Sequence, residues 1–123
     1  WGAGGLGHVG PAAQSEYERC FGNPATVHSL YEDYRASAGI DLAHDRASRA
    51  NGGKVQWDLL VLWGERGVVQ RLFQPLALWQ AQCAGTVRGS TLPAGHYIPE
   101  ELPQETASEL ATFFGDTPLA PCA

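Results

Sequence analysis

His96 stands in the stretch LPAGHYIPEE, one residue after a glycine and shortly before a pair of carboxylates. Imidazole is the side chain best suited to moving a proton near neutral pH. On a short Gly95-led turn between an apolar run and a helix start, its ring would project over the carboxyl edge of a parallel sheet, where open α/β folds gather their chemistry. A lone histidine is more often structural than catalytic, and position is what raises this one. Glu65, in LWGERG, ends a similar apolar run, and a carboxylate there could orient a histidine by accepting its Nδ1 proton. The plainer reading of Glu65, a solvated turn residue between two glycines, comes first on the pattern alone. Tyr34, in YEDYRASAG, lies on an apolar stripe, where a tyrosine is ordinarily core and its hydroxyl finds one partner.

Other motifs carry less. GAGGLG satisfies GxGxxG at Gly2, Gly4 and Gly7, but a pyrophosphate site needs a strand before it, so the stretch reads as a connector. His44-Asp45-Arg46 resembles the centre of a nucleophile elbow, yet it is flanked by Ala43 and Ala47 inside a helical pattern and reads as surface ion-pair chemistry. Cys20, Cys83 and Cys122 are widely spaced and lack CxxC or Cys/His pairing. They are expected to be reduced packing thiols rather than a disulfide frame or a zinc site, and neither a metal nor a cofactor is expected.

The elements that must position these residues follow from the punctuation. PAAQSEYERCFG has Pro11 at a first helical position and Gly22 at a stop, and NPATVHSLYEDYRASAG repeats the grammar with Asn23, Pro24 and Gly39. In the second helix Val27, Leu30, Tyr31 and Tyr34 form a stripe expected to pack on another element. IDLAHDRASRANGG reads as a partly solvated helix closed by Gly52-Gly53. DLLVLWG, residues 58–64, is a short apolar run of the kind buried in parallel sheets. FQPLALWQAQCAG is expected to be a helix with Leu76, Trp79 and Cys83 on one face; TVRGSTLP is a second strand, and a final helix is expected over residues 100–114. The order is β-α-β-α preceded by helices, an α/β architecture with right-handed crossovers. Two parallel strands leave edges unpaired, so further strands are expected from outside the chain.

The 123 residues are enough for one domain with a core. Thirteen acidic against eight basic residues, a net charge of −5, with no basic cluster, disfavour nucleic acid as a partner. No apolar run reaches the roughly 18 residues of a membrane span and no basic-then-apolar leader opens the chain, so a cytoplasmic setting is expected. With no methionine and an opening WGAGGLG, the sequence reads as a piece of a longer protein.

Taken together, YEDYRASAGIDLAHDRA, LLVLWGERGVV, PLALWQ and LPAGHYIPEELPQET resemble the C-terminal part of haloacetate (fluoroacetate) dehalogenases, a branch of the α/β-hydrolase superfamily. The resemblance runs in order over about residues 17–114. With the boundary set by the shift in composition, it implies the end of a helical cap domain and the return to the main domain over residues 1–50, and the C-terminal β-α-β-α portion of the main domain over 51–123. It also implies the chemistry: an aspartate on an elbow attacks the carbon bearing the halogen, halide leaves, and a histidine activates water to hydrolyse the ester. His96 matches that histidine, Tyr34 a cap tyrosine that holds the halide, and Trp1 a cap tryptophan lining the pocket. No G-x-D-x-G elbow occurs here, nor its arginines or the His-Trp halide pair, and this branch takes its triad acid from an earlier strand, which weakens Glu65. The implied partners are a small haloacid and the missing N-terminal part of the same protein, with a homodimer open for the parent. The expected parent is thus a hydrolase, and the piece alone is expected to be inactive. Rival readings are an epoxide hydrolase, a serine esterase, and a non-catalytic structural or interaction module.

Overall fold

Pro11 and Pro24 each open a helix, because a residue without an N–H loses nothing in a first turn whose donors have no partner anyway. The computed structural model describes Gly5 and residues 7–115. Helix α1 spans Pro11–Phe21, α2 Pro24–Ala38 and α3 Ile40–Ala50. The Asn23 side chain caps α2 by accepting the Ala25 N–H at 2.9 Å. Helix α3 ends in a Schellman arrangement: the Gly52 N–H donates to the Arg49 carbonyl at 3.0 Å and the Gly53 N–H to that of Ser48 at 2.8 Å. Gly52 sits at φ +72°, a left-handed conformation that a Cβ penalises. The three helices pack in sequence, α1 on α2 and α2 on α3.

The stripe on α2 is exposed rather than packed: Leu30, Tyr31 and Tyr34 are all open to solvent, and α2 buries no residue fully. Periodicity identified the helix correctly but said nothing about which neighbour would cover its face.

Strand β1 spans Leu59–Gly64 and β2 spans Val87–Leu92. They pair in parallel with Leu59 opposite Val87 and Gly64 opposite Leu92. Between them lie a short helix α4, Val68–Leu72, and α5, Pro75–Gln82. Helix α4 rests on β1, where Trp63 Nε1 donates to Gln70 Oε1 at 2.5 Å, and α5 touches both strands. Cys83 is not on the α5 face with Leu76 and Trp79. It follows the helix in extended backbone and forms a parallel bridge with Val55, so its burial comes from a sheet-like contact.

The final helix is split. Helix α6, Ile98–Glu101, and α7, Pro103–Phe114, are separated by Leu102 at φ −140°, ψ 65°. A residue before proline is pushed out of the α region, so the LP dipeptide breaks the helix here. Thr106 spans the break, its hydroxyl within hydrogen-bonding distance of the Leu102 carbonyl at 2.8 Å and the Ile98 carbonyl at 3.3 Å, each of which also accepts a backbone N–H. Helix α7 approaches β2 through Arg88, whose guanidinium lies 5.1 Å from the Phe113 ring centroid.

Among the described residues the buried apolar side chains are Cys83, Leu92 and Ala94, on or beside the strands, and Pro75 at the start of α5. No helix among them is long and apolar enough to cross a membrane. From the Schellman geometry we expect Gly52→Ala in the intact protein to cost about 1 kcal/mol of unfolding free energy, read as a shifted urea midpoint with an unchanged slope.

Candidate functional site at the carboxyl end of the strands

The parallel ladder does not stop where the strands do. The Glu65 N–H donates to the Leu92 carbonyl at 2.8 Å and the Arg66 N–H to the Ala94 carbonyl at 3.0 Å, so the loops leaving β1 and β2 are stitched together. Their approach requires Gly64. A Cβ there would fall 1.5 Å from the Gly95 carbonyl oxygen, an impossible distance against rigid backbone. Ala94 and Gly95 are buried under this contact, and the next residue, His96, emerges exposed on the rim.

His96 thus lies at the end of β2 with its ring edge-on to Tyr97, the centroids 5.2 Å apart. His8 also meets this aromatic group, stacked on Tyr97 with the ring centroids 5.8 Å apart. Two consecutive carboxylates of α6 face different ways. Glu101 accepts the Gly95 N–H at 2.7 Å on Oε2 and the Tyr97 N–H at 3.1 Å on Oε1, so one carboxylate grips the backbone on both sides of His96. Glu100 accepts the Tyr17 hydroxyl at 2.7 Å, which ties α1 to the same turn. That bond to Glu100, helped by the negative charge of the carboxylate, raises the Tyr17 pKa.

The Glu101 carboxyl is held below its ordinary pKa range. The Gly95 N–H is the largest cause; partial burial works against it, and the Tyr97 N–H and the attraction of His8 and Arg66 add to it.

Glu65 and His96 are brought to the same edge by neighbouring loops, and the Glu65 side chain is exposed there. Tyr34 lies on α2, 76% exposed. Trp1 lies outside the described residues, as do Gly2, Gly4 and Cys122. His44, Asp45 and Arg46 lie inside α3, all exposed. Among the described residues no group of three or more His, Cys, Asp or Glu is arranged to hold a metal. Clefts open elsewhere on the surface, one of about 270 Å³ between Arg88 and Phe113 and one of about 430 Å³ between Arg49 and Trp79, whereas His96 sits on an open rim.

Glu101 and the Gly64–Gly95 contact were missed in the sequence. The signal for Glu101 was faint: it falls four residues after Tyr97, near the spacing by which a glutamate reaches back to a helix's first N–H, but without the Ser or Thr that marks a capping box.

A parallel strand pair with an exposed histidine turn at its carboxyl end is an arrangement of α/β hydrolases, and comparison with solved structures agrees. A candidate alpha/beta hydrolase from Nostoc sp PCC 7120 superposes with TM-score 0.85 at 42% identity, over 93% of this chain and 38% of that one. A candidate acyltransferase from Salmonella enterica superposes with TM-score 0.80 at 36% identity, over 88% and 35%. The chain carries part of the α/β-hydrolase fold. Within that class it is fluoroacetate-dehalogenase-like: it is 34% identical over 116 residues to the fluoroacetate dehalogenase of a Burkholderia sp, covering 94% of this chain and 37% of the relative. The chain therefore spans just over a third of the length of these relatives. No family model matches it.

The lowered Glu101 pKa sets a pH window. A carboxyl whose folded pKa is depressed contributes stability that is complete above its unfolded value and is lost as pH falls through the folded one. The turn should therefore hold unchanged from neutral pH down to about 4.3, the ordinary glutamate value, and loosen below it. Amide exchange at Gly95 and Tyr97 in the intact protein, corrected for the intrinsic pH dependence, should show constant protection above that point and falling protection beneath it.

Proposed function

We propose that this chain is part of a haloacetate dehalogenase-type hydrolase in which His96 is the water-activating base. The observation that carries the reading is the exposed His96 at the carboxyl rim, in a chain that matches a fluoroacetate dehalogenase over nearly its whole length. In the first step a carboxylate oxygen supplied from outside this chain attacks the carbon bearing the halogen. The carbon–halogen bond breaks and the halide departs with the bonding electrons, leaving an ester. In the second step His96 takes a proton from water as the hydroxide attacks the ester carbonyl, and that proton is returned to the departing alkoxide. The carboxylic acid left on the nucleophile loses its proton to solvent, which regenerates the carboxylate, and the product is the hydroxy acid.

Tyr34 serves the first step by donating a hydrogen bond from its hydroxyl to the departing halide, and the resemblance gives Trp1 a part in holding the substrate. Such a donor favours a small, strongly hydrated anion. Glu65 is the weaker candidate for a carboxylate behind His96. The nucleophile-bearing remainder of the protein packs on the open edges of β1 and β2 and on apolar side chains left exposed here, Trp57, Leu72 and Phe114 among them. The chain by itself is then inactive, since a base without an ester has nothing to hydrolyse.

His96→Ala in the intact protein is the test. With chloroacetate as substrate it should release about one halide per active site and then stop, because the ester forms but is not hydrolysed. Continued turnover at the wild-type rate in a folded variant would refute the assignment.

A further inference from the structure

We propose that Glu101 is the positioning residue for His96, gripping the backbone before and after it so that the imidazole stands at one place over the carboxyl rim. The proposal rests on His96 being the base, and adds the group that aims it.

The geometry is specific. Gly95 and Tyr97 flank the histidine, and their N–H groups meet separate oxygens of one carboxylate at 2.7 and 3.1 Å. An ionised carboxylate is an acceptor only, with two oxygens, so this use matches its capacity. Bonds from backbone N–H to a charged acceptor are stronger than neutral ones. Binding both neighbours constrains the dihedral angles on either side of His96, and therefore the direction of its Cα–Cβ bond. The turn is held from below as well: the Arg66 N–H takes the Ala94 carbonyl at 3.0 Å, and the Gly95 carbonyl closes over Gly64. Glu101 is thus one side of a vice whose other side is the β1 loop.

Its neighbour shows that the role is not shared by any acid on the helix. The Glu100 side chain turns instead to Tyr17 on α1, and Glu100 meets Tyr97 through its backbone N–H, which donates to the Tyr97 carbonyl at 3.1 Å. The surroundings suit this role, since Arg66 and His8 lie where they favour the charged form of Glu101 on which the grip depends.

A positioning role and a merely structural one separate in the two chemical steps. Displacement of halide does not use His96; hydrolysis of the ester does. In the intact protein with chloroacetate, Glu101→Ala should keep the first release of about one halide per site at the wild-type rate, while steady-state turnover falls by about 100-fold, the scale of a misplacement near 1 Å. Glu101→Gln keeps one acceptor oxygen and should lose less, about 10-fold. Wild-type turnover in folded Glu101→Ala, alongside a His96→Ala variant that stalls after one halide, would overturn this proposal alone. Equal loss of both steps in folded Glu101→Ala would also overturn it, since the residue would then act on more than His96. Should Glu101→Ala fail to fold, Glu101→Gln decides, and an unchanged second step there overturns the proposal. Wild-type turnover in His96→Ala would instead remove the functional reading and this inference with it.

Discussion

Gly95 is held on two sides by its own backbone, and the rim is organised around that. Its carbonyl lies where only a glycine at position 64 leaves room, and its N–H is bound by the Glu101 carboxylate. The first contact brings the loop after β1 against the loop after β2; the second fixes the start of α6. Neither depends on burying much apolar surface. The local order comes from short-range sterics and charge-assisted hydrogen bonds, which suits a place that must stay open to solvent and to a substrate.

The helices and strands were largely legible because their ends are written in residues with few alternatives. Pro11 and Gly22 bracket α1, Asn23 and Pro24 open α2, and Gly52-Gly53 close α3. The apolar run before Gly64 and the weaker TVRGSTL both emerged as strands, in the order expected, and the α/β class is shared with the solved relatives. Failures came where tertiary pairing or a local conflict decided. Cys83 fits a helical face by spacing, but its backbone is claimed by Val55, a partner 28 positions earlier that no local pattern reveals. Helix α4 is only five residues long, too short for periodicity to register, and Leu102-Pro103 breaks a stretch whose composition reads as one helix.

The candidate site divides in the same way. His96 was found because its sequence position, after a strand and before a helix, carries topological meaning. Glu101 was not, because a carboxylate near a helix start is common and its reach back to two amides is a matter of side-chain direction. Tyr34 and Trp1 came from resemblance rather than from spacing, and the described residues set Tyr34 on an exposed helix surface. The wealth of exposed aromatic and aliphatic side chains beside so few buried ones agrees with a chain that spans only part of the relatives it matches.

A crystal structure of the intact protein at a resolution that separates the two Glu101 oxygens is the most direct measurement. The account predicts both oxygens within hydrogen-bonding distance of the Gly95 and Tyr97 nitrogens, with the His96 ring facing a substrate cleft completed by the rest of the protein. A Glu101 side chain turned to solvent, or a His96 ring packed beneath aliphatic side chains away from any cleft, would contradict it.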